Sequence, residues 1–234
     1  MVETSGTTVK TTSYNAQDYE RRYQEGYGLA YPESHIIRVN KHILEWELKM
    51  FGGRIFDFGC GSGAHLRYFA EHGYEPFGCD TSASAIEHCR RLMPQFAANF
   101  HVSEVNPELF AIADEGSIDV FLSNQVLYFL DDQGIRDVVR QAHVMLRPGG
   151  VFIATMMALT CWYARYAVGT QGDFKEVNLD TPREKGKLLI NFKEQSELAD
   201  LFSPLRPLHL GKYGSHVRQE EGPTDHWLYV GVKD

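Results

Sequence analysis

Between residues 54 and 155, short apolar runs alternate with longer amphipathic ones. Runs at 54–58, 75–79, 100–103, 118–123 and 151–155 are of strand length and rich in Ile, Val and Phe. Between them, 65–72 reads as a helix closed by Gly73, 82–93 as a helix stopped before Pro94, and 131–146 as a helix stopped by Pro148-Gly149-Gly150. Strands separated by helices of this length predict βαβ units and a mostly parallel sheet covered on both faces. A short helix at 194–202 and two further strands at 208–213 and 227–232 follow. The last two strands suit an antiparallel pair at one sheet edge.

The flanks carry a different rhythm. Residues 1–13 are Thr- and Ser-rich and read as a flexible tail. Tyr19, Tyr23 and Tyr27 recur every fourth residue, on one helical stripe that serves equally well as core packing or as the wall of a site. Gly26, Gly28 and Pro32 break that helix. A second one follows Ser34 and ends at Gly52-Gly53, which makes 14–53 an N-terminal helical cap. Residues 156–190 lose the βα rhythm and read as an insertion over the sheet, and 191–234 close the same domain. There is no internal repeat.

Composition narrows the function classes. The 234 residues are 43% hydrophobic and 23% charged, as expected of one large globular domain. The net charge of −8 argues against a nucleic-acid partner, which needs a basic stripe. Cys60, Cys79, Cys89 and Cys161 form no Cys-x-x-Cys pair, which points to reduced thiols and a cytoplasmic setting. No apolar run has the length of a signal peptide or a membrane span. No cluster has metal-ligand spacing, so no metal is expected.

The strongest chemical signal is Ile55-Phe56-Asp57-Phe58-Gly59-Cys60-Gly61-Ser62-Gly63: an apolar strand with an acidic residue near its end, then alternating glycines opening a helix. Glycines there let a ligand lie on the backbone, and the helix start offers oriented N–H groups. One βα unit later, Gly78-Cys79-Asp80 ends the next strand. A carboxylate there can accept both hydroxyls of a ribose, or it can cap the following helix. Joined to the glycine turn, the ribose reading is the stronger. Nicotinamide sites expect Gly-x-Gly-x-x-Gly, and here the third glycine comes one position early. No Lys-Ser or Lys-Thr follows, against a triphosphate loop.

Together with Gly116-Ser117-Ile118-Asp119-Val120-Phe121-Leu122-Ser123-Asn124 and Leu146-Arg147-Pro148-Gly149-Gly150, these motifs resemble the class I S-adenosylmethionine-dependent methyltransferases, in order and spacing from about 54 to 155. The resemblance implies a Rossmann-like, doubly wound α/β fold: a mostly parallel seven-stranded sheet with an antiparallel edge, N-terminal helices and a cap insertion. It implies S-adenosyl-L-methionine as cofactor and S-adenosyl-L-homocysteine as product. Asp57 and the backbone at Gly59, Gly61 and Gly63 would hold the methionine part, Asp80 the ribose, and Thr81 the adenine side. Glu104 and Val105 would face the adenine, although Ser103-Glu104 departs from the family's usual Gly-Asp. Asn124 would lie under the sulfonium with Gln125 and Tyr128 nearby. Tyr23 and Arg38 belong to helices that commonly fold over the cofactor, and Arg38 could pair with the methionine carboxylate or simply be solvated.

The implied reaction is an in-line displacement in which the protein mainly aligns donor and acceptor. A hydroxyl acceptor also needs a base; His216 is the candidate, with His35 and His209 as rivals, while His143 reads as structural. The strand ending Ser123-Asn124-Gln125 lacks the Asn-Pro-Pro-Tyr-type motif of amino-methylating nucleic-acid enzymes. Trp162, Tyr163, Arg165 and Tyr166 could line a pocket for a small polar or sugar-like acceptor, or pack the insertion onto the sheet. The expectation is an O- or N-methyltransferase of a small molecule or glycan precursor, with no nucleic-acid or membrane partner and no oligomeric state specified. A protein side-chain methyltransferase and a non-catalytic, cofactor-binding regulatory subunit are the alternatives.

Overall fold

The computed structural model describes residues 6–105, 107–181 and 185–234. The chain opens with α1 (Gly6–Gln24) and α2 (Ser34–Arg38), the latter running into a π-helical stretch, Val39–Glu47, in which Leu48 N donates to Ile43 O at 2.8 Å. The alternating core follows as β1 (Gly53–Phe58), α3 (Ala64–Glu71), β2 (Tyr74–Asp80), α4 (Ala83–Leu92), β3 (Phe100–Val102), β4 (Ile118–Ser123), α5 (Asp132–Met145) and β5 (Leu146–Met157). Strands β6 (Ala167–Gln171), β7 (Phe174–Asp180) and β8 (Lys185–Ile190) come next, then α6 (Leu198–Leu201), β9 (Arg206–Tyr213) and β10 (His226–Val232).

The main sheet has seven strands in the order β3-β2-β1-β4-β5-β10-β9. β1 pairs in parallel with both β2 and β4, β2 with β3, and β4 with β5; β10 runs antiparallel to β5 and β9. The order reverses between β1 and β4, which opens a crevice at the carboxyl ends of those strands. Both faces of the central strands are buried. Ile55 faces Leu66, Phe69 and Ile86, while Phe56 on the other face belongs to the cluster of Phe121 and Phe152. The three phenylalanine rings stack across β1, β4 and β5, with centroids 5.3 and 5.7 Å apart.

The starts of α4 and α5 are fixed by side-chain caps. Ser82 Oγ accepts from Ala85 N at 3.1 Å, and Asp131 Oδ1 accepts from Gly134 N at 2.7 Å. The cap of α4 is therefore Ser82, which leaves Asp80 available at the sheet edge. Helix α1 docks through a carboxylate at the start of that same α4. Glu20 accepts from Ser82 Oγ at 2.5 Å and from Ser84 Oγ at 2.6 Å. At its other end Asn15 Nδ2 donates to Leu189 O of β8 at 3.0 Å.

Two expectations change. Helix α1 already begins at Gly6, inside the stretch expected as a tail, because a docked helix extends toward its N-terminus at little cost once its later turns are held; residues 1–5 lie outside the described residues. The insertion contains an antiparallel sheet, β6-β7-β8, that the hydropathy pattern did not disclose. All five positions of β6 are exposed, so no apolar alternation marks it. Among the described residues no helix is long and apolar enough to cross a membrane.

The serine hydroxyls hold the Glu20 carboxyl down to about 2, from 4.5. A depressed carboxylate contributes docking strength above the unfolded value and loses it as pH falls toward the folded one. Glu20→Ala should therefore raise amide exchange across 15–24 at pH 7 while leaving β1 and β4 protected. Wild type should loosen in the same segment between about pH 4.5 and 2. Unchanged exchange in the variant would contradict this docking.

Candidate functional site

At the end of β1 the backbone turns through Gly59, Cys60, Gly61 and Ser62 to Gly63, the cap residue just ahead of α3. Gly59 and Gly61 have φ of 77° and 52°, which disfavour any side chain. A Cβ at Gly59 would also run into Val126, and one at Gly61 into the phenol oxygen of Tyr23. Gly61 N donates to Asp80 Oδ2 at 2.9 Å, and Ser82 N to Asp80 Oδ1 at 2.9 Å. Asp80 thus braces the turn from the end of β2 and still has lone pairs on both oxygens. Burial raises its carboxyl above the usual range, against the backbone N–H groups of Ser82, Gly61 and Thr81.

Beneath the turn, Asp57 is 1% exposed and neither carboxylate oxygen has a hydrogen-bond partner. Burial, and then the charge of Asp80, pushes its carboxyl well above the usual range. A buried carboxylate without a donor is costly, and such groups are kept where a ligand completes them.

The sequence-predicted residues largely converge. Tyr23, Gly59, Gly61, Asp80, Thr81, Glu104, Val105, Asn124 and Gln125 line one cavity, with Asp57 under its floor and Gly63 just beyond it. The tyrosine stripe is a wall of this cavity: Tyr19, Tyr23 and Tyr27 line it and pack edge-on or tilted against one another, and Tyr19 packs on Phe129 at 5.4 Å.

Others lie elsewhere. Arg38 is exposed at the end of α2 and does not line the cavity, so it offers no partner to a carboxylate there. His216 is exposed in the loop between β9 and β10, also off the cavity, and cannot serve it as a base from that position. His209 pairs with Glu47 at 2.8 Å on the exposed edge strand. Trp162 packs tilted against Tyr163 and edge-on against Tyr166, all three against the core, and none of the described residues of 156–190 lines the cavity. The insertion instead buttresses α1 through Asn15.

A polar cluster that the sequence reading missed closes the end of the cavity beside β4. Glu33 accepts from Asn124 Nδ2 at 2.7 Å and from Gln125 Nε2 at 2.9 and 3.0 Å. Asn124 Oδ1 accepts from His35 Nε2 at 2.9 Å, which fixes that tautomer. His35 stacks on Tyr213 at 3.6 Å, and Tyr213 on His226 at 5.3 Å. Gln125 has φ of 60°, a strained conformation for a side-chain-bearing residue, and its N–H is held by Thr155 Oγ1 at 2.7 Å. Burial lowers His65 and His226 to about 4 each, so both are neutral at pH 7. The sequence points to Asn124, Gln125 and His35 of this cluster but not to Glu33, Tyr213 or His226. Glu33 and Asn124 lie 91 residues apart, and no local pattern links them.

Comparison with known proteins places this geometry. Residues 56–152 match the model of a family described as Methyltransferase domain. Over 105 residues the chain is 34% identical to a malonyl-[acyl-carrier protein] O-methyltransferase of Enterobacter lignolyticus, covering 45% of this chain and 39% of that protein. Over 104 residues it is 31% identical to a carboxy-S-adenosyl-L-methionine synthase of Yersinia pestis, covering 43% and 39%. The match thus spans about two fifths of the length of these relatives. Among solved structures, a Burkholderia thailandensis 1,6-didemethyltoxoflavin-N1-methyltransferase, with bound substrate and S-adenosylhomocysteine, aligns over 100% of this chain and 93% of its own. Its TM-score is 0.67 at 16% identity, which speaks for the fold alone. Residues 56–152 are thus similar to a methyltransferase domain, and the cofactor this likeness implies is S-adenosylmethionine. The residues fit that cofactor: a backbone cradle that a Cβ would fill, a ribose-ready carboxylate at Asp80 and a donor-starved carboxylate at Asp57.

Asp57 yields a stability prediction. Its raised folded value means that its penalty is absent at low pH and grows as pH rises. Without cofactor, Asp57→Asn should melt higher than wild type at pH 8, with the gap narrowing at pH 5, while cofactor affinity falls. Equal melting of the two proteins at pH 8 would contradict an unpaired buried charge.

Proposed function

We propose that this protein transfers the methyl group of S-adenosylmethionine to a nitrogen or oxygen of a small-molecule acceptor by in-line displacement. The observation that carries the reading is one cavity with two chemically distinct ends. The glycine turn and Asp80 form one end; Glu33, Asn124 and Gln125 form the other. The curated relatives are named for two different reactions, an O-methyl transfer and the synthesis of a carboxylated cofactor, on the same core segment. That core therefore speaks for the cofactor, and the acceptor is a matter for the flanking residues of this chain.

When bound, the cofactor supplies a methyl group made electrophilic by its sulfonium. The chain's own part is binding and alignment. The N–H groups and open backbone of the glycine turn take the aminoacyl portion, with Asp57 as the nearest buried charge. Asp80 takes the ribose hydroxyls; Thr81, Glu104 and Val105 form the adenine side. Tyr19 and Tyr23 of α1, with Tyr27 just beyond its end, wall the cavity and exclude water, which strengthens every polar interaction inside. The strained Gln125 backbone, pinned by Thr155, holds the Asn124 and Gln125 amides toward Glu33. Alignment of this kind supplies most of what a displacement on an activated methyl needs.

Titration calorimetry with S-adenosylhomocysteine checks the cofactor assignment. Wild type should bind, and Asp80→Ala should bind more than about tenfold more weakly, a loss of about 1.4 kcal/mol or more. Deuterated-methyl S-adenosylmethionine offered with a deproteinised metabolite extract and, separately, with the protein fraction should label small molecules. Label confined to protein would contradict the small-molecule reading, and near-native affinity in Asp80→Ala would contradict the ribose assignment.

A further inference from the structure

We infer that Glu33 receives the methyl acceptor, and that this acceptor is an amine rather than a carboxylic acid, a phosphate or an alcohol; the inference rests on the methyl-transfer reading above. The charged residues lining the cavity are Glu33, Asp80 and Glu104, and no Lys or Arg is among the described lining residues. An anionic acceptor would enter against like charge with no cation to receive it. Glu33 itself is satisfied by amides alone, from Asn124 and Gln125, so its negative charge has no cationic partner.

A second observation points to a ligand at the same place. His65 lines the cavity at 8% exposure, and its buried Nε2 has no hydrogen-bond partner. It faces Glu33 Oε2 at 3.9 Å, too far for a direct bond. His35 Nε2 lies at the same 3.9 Å but is committed to Asn124. A carboxylate with spare lone pairs and a neutral imidazole nitrogen without a partner thus face a common space.

Base strength separates nitrogen from oxygen. Burial holds His65 to about 4 and also lowers His35, so the imidazoles at this end are poor bases. An alcohol must lose its proton as the new bond forms, whereas a free amine attacks with its own lone pair. In that step the N–C bond forms and the donor's C–S bond breaks, its electron pair remaining on sulfur. No proton moves. The positive charge passes from sulfur to nitrogen, and Glu33 is the anion beside the nitrogen that receives it. The extra proton of the product ammonium then leaves to solvent.

The test uses sinefungin, an S-adenosylmethionine analogue with a primary amine, protonated at neutral pH, in place of the S-methyl unit. Its affinity is compared with that of S-adenosylhomocysteine, which is neutral at that position. Glu33→Gln should weaken sinefungin by at least about tenfold and change S-adenosylhomocysteine by less than about threefold. Glu33→Ala, which leaves no amide in place of the carboxylate, should do the same if the isosteric variant misfolds. Equal loss of both ligands would mean that Glu33 holds a part they share, and would overturn the inference, as would unchanged sinefungin binding. Failure of wild type to bind S-adenosylhomocysteine is a different result: it removes the cofactor reading itself, before any variant is compared.

Discussion

The hydrogen bond from Gly61 N to Asp80 Oδ2, at 2.9 Å, ties the turn after β1 to the end of β2. It holds at the carboxyl edge of the sheet, next to the crevice where strand order reverses. The bond requires a glycine, because Gly61 has positive φ and Tyr23 occupies the space a Cβ would fill. It also requires that α4 be capped by something other than Asp80, and Ser82 does this. A carboxylate is thereby kept at the cavity rather than consumed by a helix end.

The N-terminal segment completes the site from the other side. Glu20 fastens α1 to the start of α4, Asn15 rests on the insertion, and Glu33 reaches the amides after β4. The insertion's aromatic residues are spent on packing, so its contribution to the cavity is indirect. Buried charge without compensation sits beside this cavity at Asp57, an electrostatic cost whose relief comes with a hydrogen-donating or positively charged ligand.

What could be read in the sequence was what lies close along the chain. The glycine turn and Asp80 are one βα unit apart, so spacing alone brings them together. The buried strands betray themselves by apolar runs. Glu33 and His35 meet Asn124 only because the N-terminal helices fold back over the sheet, and no local pattern carries that information. Arg38 and His216 were selected by residue type, which says nothing of exposure, and both lie on the surface. β6 escaped notice because a strand with no buried position leaves no alternation to detect.

The most direct test of this account is a crystal structure with S-adenosylhomocysteine soaked into the site. The account predicts the ribose hydroxyls on Asp80, the aminoacyl tail along Gly59 to Gly61, and the thioether sulfur facing the end of the cavity formed by Glu33, Asn124 and Gln125. A turn left empty at saturating ligand, or a ribose bound away from Asp80, would contradict it.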